Sequence, residues 1–470
     1  MNNSEISELS ATELTTAIRS RSVSSREALA AQFERIDAVN ATINAVVTQD
    51  RAGAARLADE ADKLTMSGVD LPPLHGLPMA HKDTHNTKGM RTTQGSAIFK
   101  NLVPDFDDLI IERLKHAGVV STGKTNVPEF AAGSHTFNEV FGTTVNPYDI
   151  TRSAGGSSGG TAAAIAARIQ PLGDGSDMGG SLRIPASFCN VVGYRPSAGV
   201  VPMAPTQNSW AWLARTGLMA RGVRDIALGM TAIAGPDAAI PYPYPVNGSF
   251  SAPLERDLTG VRVGWSADFG VGVPVDQEVL HVLEKQLQVF TDLGATVEEA
   301  APDLTEADKV FNTTRAFDFA LGLGPLVQEH GETIKPEVRW NVERGLALTA
   351  QDMVDTALAR TKLDNGVRRY FETYDVFASP ATQVLPFDAS QRYPRSANGV
   401  EFETYLDWMR SACLISATGM PAVSVPAGFS EGGLPVGLQL VVAHGQDVEL
   451  LQIAHAFEQA TGWAKRQPKL

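Results

Sequence analysis

Apolar and polar positions divide the chain into stretches of different texture. Near the N-terminus Leu29, Phe33, Ile36 and Asn40 recur at helical spacing, and Ser24 with Glu27 forms a capping box ahead of them, so the first 65 residues read as helices with one face to bury. Between about residues 70 and 205 short apolar or β-branched runs, such as Val119 to Thr122, alternate with glycine-rich turns and helix patterns such as Leu109 to His116. That alternation predicts an α/β sheet core. From about 221 to 391 the pattern is mostly helical, as in Gln277 to Leu293 and Gln351 to Phe371, with a Pro/Tyr-rich loop at Ile240 to Pro245. Strand-like runs return at Asp375 to Ser379, Ala422 to Val425 and Gly437 to Val442, which adds strands to the same sheet.

No internal repeat or low-complexity linker interrupts the chain, which favours one unit over 1–470. Its parts are a helical segment at about 1–65, a core at about 66–220, a variable helical cover at about 221–390, and C-terminal strands with a helix at about 391–470.

Composition narrows the function classes. Of 470 residues, 43% are apolar and 20% charged, the balance of a folded globular protein. A formal charge of −14 with no Lys/Arg-rich run disfavours nucleic acid and anionic lipid as partners. The N-terminus has no basic n-region or apolar h-region, and no apolar run is long enough to span a bilayer, so the expectation is a cytoplasmic protein. Cys189 and Cys413 are too few for a disulfide framework and read as reduced core residues.

Two glycine-serine stretches carry the candidate chemistry. Ser153 to Gly160 leads into a small-residue helix, and Gly173 to Ser181 precedes Leu182-Arg183-Ile184-Pro185. Gly179 and Gly180 free the backbone to aim several N–H groups at one point beside the Ser181 hydroxyl, the requirement for an oxyanion hole. Both stretches also read as ordinary tight turns. A serine nucleophile needs a base within hydrogen-bond reach, and no histidine lies near either stretch in sequence.

These residues resemble the amidase signature family. The run Gly155 to Gly160 and then Asp177-Met178-Gly179-Gly180-Ser181 is similar to its signature, with Ala154 where proline is common. Gly76-Leu77-Pro78-Met79-Ala80-His81-Lys82-Asp83, Gly123 to Asn126 with Glu129, Asn146-Pro147, and Gly419 to Ala422 resemble its flanking blocks.

The resemblance implies a central twisted mixed β-sheet flanked by α-helices on both faces. It implies a Ser–cis-Ser–Lys triad: Ser181 the nucleophile, Ser157 after a cis peptide bond as proton relay, and Lys82 as a base that burial must keep neutral. The N–H groups of Met178, Gly179, Gly180 and Ser181 would form the oxyanion hole. Ser158, Asp177 and Arg183 would support the nucleophile loop, and no metal or organic cofactor is implied. Ala131, Ala132 and Gly133 resemble a pocket-lining segment, while Trp210 and Trp212 follow a Pro-rich loop and could line a substrate pocket or simply pack in the core. The implied reaction is cleavage of a small amide, anilide or carbamate by a monomer or homodimer. Alternatives are the glutamine-dependent amidotransferase subunit of a tRNA-amidating complex and a binding protein that has lost catalysis.

Competing patterns lack the context they need. Gly118 to Thr125 fits GxxxxGK[ST], but its interior reads as a strand and Pro128 follows closely, unlike a P-loop. Gly156 to Gly160 fits GxSxG, which would make Ser158 the nucleophile of an α/β-hydrolase esterase with His455 as partner; yet Asp149 to Ala154 reads as a polar loop and His455 sits in a helix. His81 and His85 are four apart, but a loop suits them better than a metal-binding helix.

Overall fold

The computed structural model describes residues 1–242 and 244–470, so Pro243, within the Ile240 to Pro245 loop, lies outside the described residues. Ser24 caps the helix Ser25–Ile43 with Glu27 completing the reciprocal box. Leu29 and Ile36 on that helix are buried, as their spacing predicts.

An eight-stranded mixed sheet organises the chain, in the order Thr296–Glu299, Arg262–Trp265, Val376–Pro380, Pro435–Val441, Ala422–Phe429, Val192–Arg195, Arg215–Ala220 and Leu172–Asp177. The first three strands run parallel to one another, and the remaining pairings are antiparallel. Helices pack around the sheet, and one large apolar cluster runs through it, from Ile184, Phe188 and Tyr194 to Phe377, Trp408 and Leu440.

A second sheet of three strands has Val120–Thr125 at its centre, parallel to Pro78–Lys82 and antiparallel to Val46–Gln49. Side chains stitch it to the main sheet. Gln170 receives the Ala80 N–H at 2.9 Å and returns an N–H to Ala80 O at 3.2 Å, while Asp174 Oδ1 receives the Lys82 N–H at 2.8 Å. On the edge away from Val120–Thr125, buried backbone groups of Ala80 and Lys82 are thereby satisfied without a ladder.

Several elements differ from the sequence reading. The stretch expected as helical cover also supplies Arg262–Trp265 and Thr296–Glu299 to the main sheet, beside the expected strand at Val376–Pro380. Thr296–Glu299 is a polar edge with three of its four residues exposed, so no buried face marks it in sequence. Asp149 to Ser153, read as a loop, is a short strand paired with Val145–Asn146. Most of the second glycine-serine stretch is also not a loop, because Leu172–Asp177 is the last strand of the main sheet, paired along its length with Arg215–Ala220.

Candidate active site

Glycine brings the two stretches together. Gly175, in the Leu172–Asp177 strand, faces the start of the fully buried helix Gly159–Ala166, where an added Cβ would lie 2.8 Å from Ser158 Oγ. Gly180 adopts φ +101°, a conformation open to glycine, with Ala412 close against it. Ser157 and Ser158 therefore enter that helix beside the end of the Leu172–Asp177 strand, and Ser158 N–H donates to Ser181 O at 3.2 Å.

Lys82 ends its strand with no exposed surface. Its Nζ lies 2.8 Å from Ser157 Oγ, 2.9 Å from Ser158 Oγ and 2.9 Å from Ser176 Oγ. Burial pushes its pKa down to about 7 against the opposing pull of Asp177 and Asp174. A neutral amine has two N–H donors and one lone pair, which suits three hydroxyls: two accept, and one donates to the nitrogen.

The Gly156–Ser157 bond is cis. Ser181 is 7% exposed, whereas Ser157 and Lys82 have no exposed surface. Among the described residues the Ser181 Oγ makes no hydrogen bond to Ser157.

Asp177 anchors the turn leading to Ser181. Arg183 grips it with two bonds, Nη2 to Oδ1 at 2.9 Å and Nε to Oδ2 at 3.0 Å, and Arg195 stands 3.4 Å from Oδ1. All three side chains are buried, so this is not the surface salt bridge that a lone Asp/Arg pair would suggest. Burial pushes the Asp177 carboxyl up, but the two guanidiniums outweigh it and hold the group well below the usual carboxylate range.

Gly180 departs from expectation, because its N–H donates to Asp177 Oδ1 at 2.9 Å and is not free for an oxyanion. Met178, Gly179 and Ser181 carry the remaining N–H groups of the expected set.

The residues expected to line a pocket lie apart from the cavity beside the nucleophile turn. A cavity of about 260 Å³ opens beside Met178, and from the segment that carries the two tryptophans it takes Ala211, Ala214 and Arg215. Trp210 projects into solvent at 56% exposure against Tyr242, and Trp212 lies under the Arg360 guanidinium, 3.7 Å from the ring centre. Ala131, Ala132 and Gly133 are not among the cavity walls; Lys335 Nζ covers this segment and donates to Ala132 O at 2.7 Å.

The competing patterns resolve by position. Lys124 of the GxxxxGK[ST] match is a buried strand residue whose Nζ donates to His85 O and to Thr87 Oγ1. His81 and His85 each place Nδ1 on Asp174, at 2.5 and 2.8 Å, with His81 on a strand. His455 sits in the helix Asp447–Thr461 beside Arg224, not at Ser158.

Asp174, Ser176 and Arg195 escape the sequence reading. A signal existed for the first two: read as a strand, positions 174 and 176 share a face.

Known proteins share this architecture. The family model described as Amidase matches residues 27–451. An acylamidase from Rhodococcus erythropolis is 35% identical, covering 98% of this chain and 97% of its own. A glutamyl-tRNA(Gln) amidotransferase subunit from Carboxydothermus hydrogenoformans is 34% identical, covering 99% of this chain and all of its own (100%). Among solved structures, a bacterial aryl acylamidase of the amidase signature enzymes superposes with TM-score 0.91 at 28% identity, covering 97% of each chain. A 6-aminohexanoate cyclic dimer hydrolase complexed with substrate gives 0.87 at 27% identity, covering 99% of each chain. The chain belongs to the amidase family and has the amidase signature fold.

Proposed function

We propose that this chain is a serine amidohydrolase that cleaves the C–N bond of a small amide, anilide or carbamate through an acyl-enzyme on Ser181. The observation that carries the reading is the Lys82 amine, fully buried, with a pKa of about 7 and 2.8 Å from Ser157 Oγ. A base must be unprotonated at working pH to accept a proton, and this lysine is near balance there.

In the proposed sequence Ser181 Oγ bonds to the acyl carbon while its proton passes to Ser157 and the Ser157 proton to Lys82. Backbone N–H groups of Met178, Gly179 and Ser181 meet the negative oxygen; each such donor lowers the barrier by about 3 kcal/mol in other hydrolases. Collapse breaks the C–N bond, and Lys82 returns the proton through Ser157 to the leaving nitrogen. Water, deprotonated by the same relay, then cleaves the Ser181 ester and restores the free hydroxyl.

The test is a panel of p-nitroanilides, simple amides, esters and aryl carbamates with mass detection of acylated Ser181. Turnover with an adduct on that serine is expected. Turnover with the adduct elsewhere, or none at all, overturns the reading.

A second reading, the glutamine-hydrolysing subunit of a tRNA-amidating complex, is favoured by the relative from Carboxydothermus hydrogenoformans. Glutamine in the same panel separates the two. Hydrolysis of anilides by the lone chain supports the first, and glutaminase activity that requires partner proteins supports the second.

A further inference from the structure

The cavity beside Met178 is walled by apolar side chains, Met178 and Leu321 among them, by the polar run Thr206 to Asn208, and by two charged side chains, Arg215 and Asp318. Arg215 opens the strand Arg215–Ala220 and pairs in register with Asp177, one residue before Met178. Its side chain is 3% exposed. Nη1 donates to the adjacent Ala214 O at 2.8 Å, whereas Nε and Nη2 meet no acceptor among the described residues.

The nearby carboxylate cannot serve it, because Asp177 is already held by Arg183 and Arg195. The other charges that act on it are the cations Arg195 and Arg360 and, opposing them, Asp447, whose carboxylate is taken up by Tyr194 and Ser197. Asp318 forms no ion pair with Arg215 among the described residues. A guanidinium this deep is uncompensated unless something in the cavity supplies an acceptor. The two free nitrogens, Nε and Nη2, form the side-on fork of the group, whose parallel N–H bonds match the two oxygens of a carboxylate.

We propose that Arg215 is a specificity-determining residue that receives a carboxylate of the substrate in this cavity, so that the preferred amide carries an anionic group on a short apolar skeleton. This rests on the amidohydrolase reading above, and the measurements are chosen to separate the two.

Two matched pairs place the carboxylate on either side of the scissile bond: succinic mono-4-nitroanilide against butyric 4-nitroanilide, and 4-acetamidobenzoate against 4-methylacetanilide. In the native chain kcat/KM favours the carboxylate member of at least one pair by about tenfold. In Arg215→Gln that ratio falls towards one, chiefly through KM, and Arg215→Lys recovers part of it. A native ratio of one or less in both pairs overturns the proposal, as does a ratio unchanged in Arg215→Gln.

If Arg215→Gln fails to fold, the native ratios decide alone. If no anilide is cleaved, the amidohydrolase reading fails, and calorimetry on Ser181→Ala still addresses Arg215. There, tighter binding of 4-acetamidobenzoate than of 4-methylacetanilide supports the carboxylate site, and equal or weaker binding overturns it.

Discussion

Asp174 Oδ1 accepts the backbone N–H of Lys82 at 2.8 Å, so one carboxylate fixes the strand that delivers the lysine while its charge acts on the lysine's amine. The same carboxylate binds Nδ1 of both His81 and His85. Burial raises its pKa, but the two imidazoles outweigh that and keep it ionised far below the usual range. With Nδ1–H of His81 directed at Asp174, Nε2 of that ring accepts from Ser121 Oγ at 2.8 Å.

Asp174→Asn separates geometry from charge. The amide oxygen can still receive the Lys82 N–H, but the negative charge that favours the ammonium is gone. The Lys82 pKa therefore falls, and the acid limb of kcat/KM moves to lower pH. An unmoved limb, or one displaced upward, in a variant that retains its fold would contradict this electrostatic role.

The native enzyme's own pH profile follows from the same amine. In the proposed relay only unprotonated Lys82 takes the Ser157 proton, so kcat/KM is expected to rise with pH through about 7 with unit slope and then level. A limb near 10, the ordinary lysine range, would show that the amine is solvated during turnover.

Much of this site was legible in sequence because each of its main parts has a local signature. Ser157, Ser181 and Lys82 stand in compact motifs, and the capping box at Ser24 and Glu27 marks its helix without tertiary help. What escaped was set by pairing across the fold. Leu172–Asp177 reads as a glycine-rich loop because its partner Arg215–Ala220, distant in sequence, is what makes it extended. Once extended, it turns Asp174 and Ser176 to the side of Lys82. Arg195 was invisible for the same reason, since only the sheet order brings it to Asp177. Gly180 was misassigned because sequence shows that an N–H is available but not that Asp177 occupies it.

Ser181→Ala lowers kcat by about 10⁴-fold or more, Lys82→Ala by nearly as much, and Ser157→Ala by an amount between or close behind. Groups that move one proton act as a unit, so the double variant Lys82→Ala with Ser181→Ala is little worse than Ser181→Ala alone. Steady-state kinetics on the best anilide of the panel checks both statements. Independent, multiplying losses would mean that the lysine and the serine do not share a proton path.

Asp177 tests whether the nucleophile turn is held by charge. Its carboxylate bonds the N–H groups of Gly180 and Leu182 at 2.9 and 3.1 Å while balancing Arg183 and Arg195, all without contact with solvent. Arg183 keeps other partners when that charge is lost, Gln439 Oε1 at 2.6 Å and Ser416 Oγ at 2.7 Å, but these are neutral. Asp177→Ala therefore leaves two buried cations uncompensated, a destabilisation of about 3–5 kcal/mol by analogy with other broken buried pairs. Asp177→Asn keeps the shape and one carbonyl acceptor, so its loss is smaller, and the difference between the two variants reports the turn's hydrogen bonds apart from its charge. Urea unfolding of both proteins measures the stabilities. An Asp177→Ala loss below about 1 kcal/mol, the scale of a surface ion pair, would show that the two arginines are compensated by their other partners and not by this carboxylate.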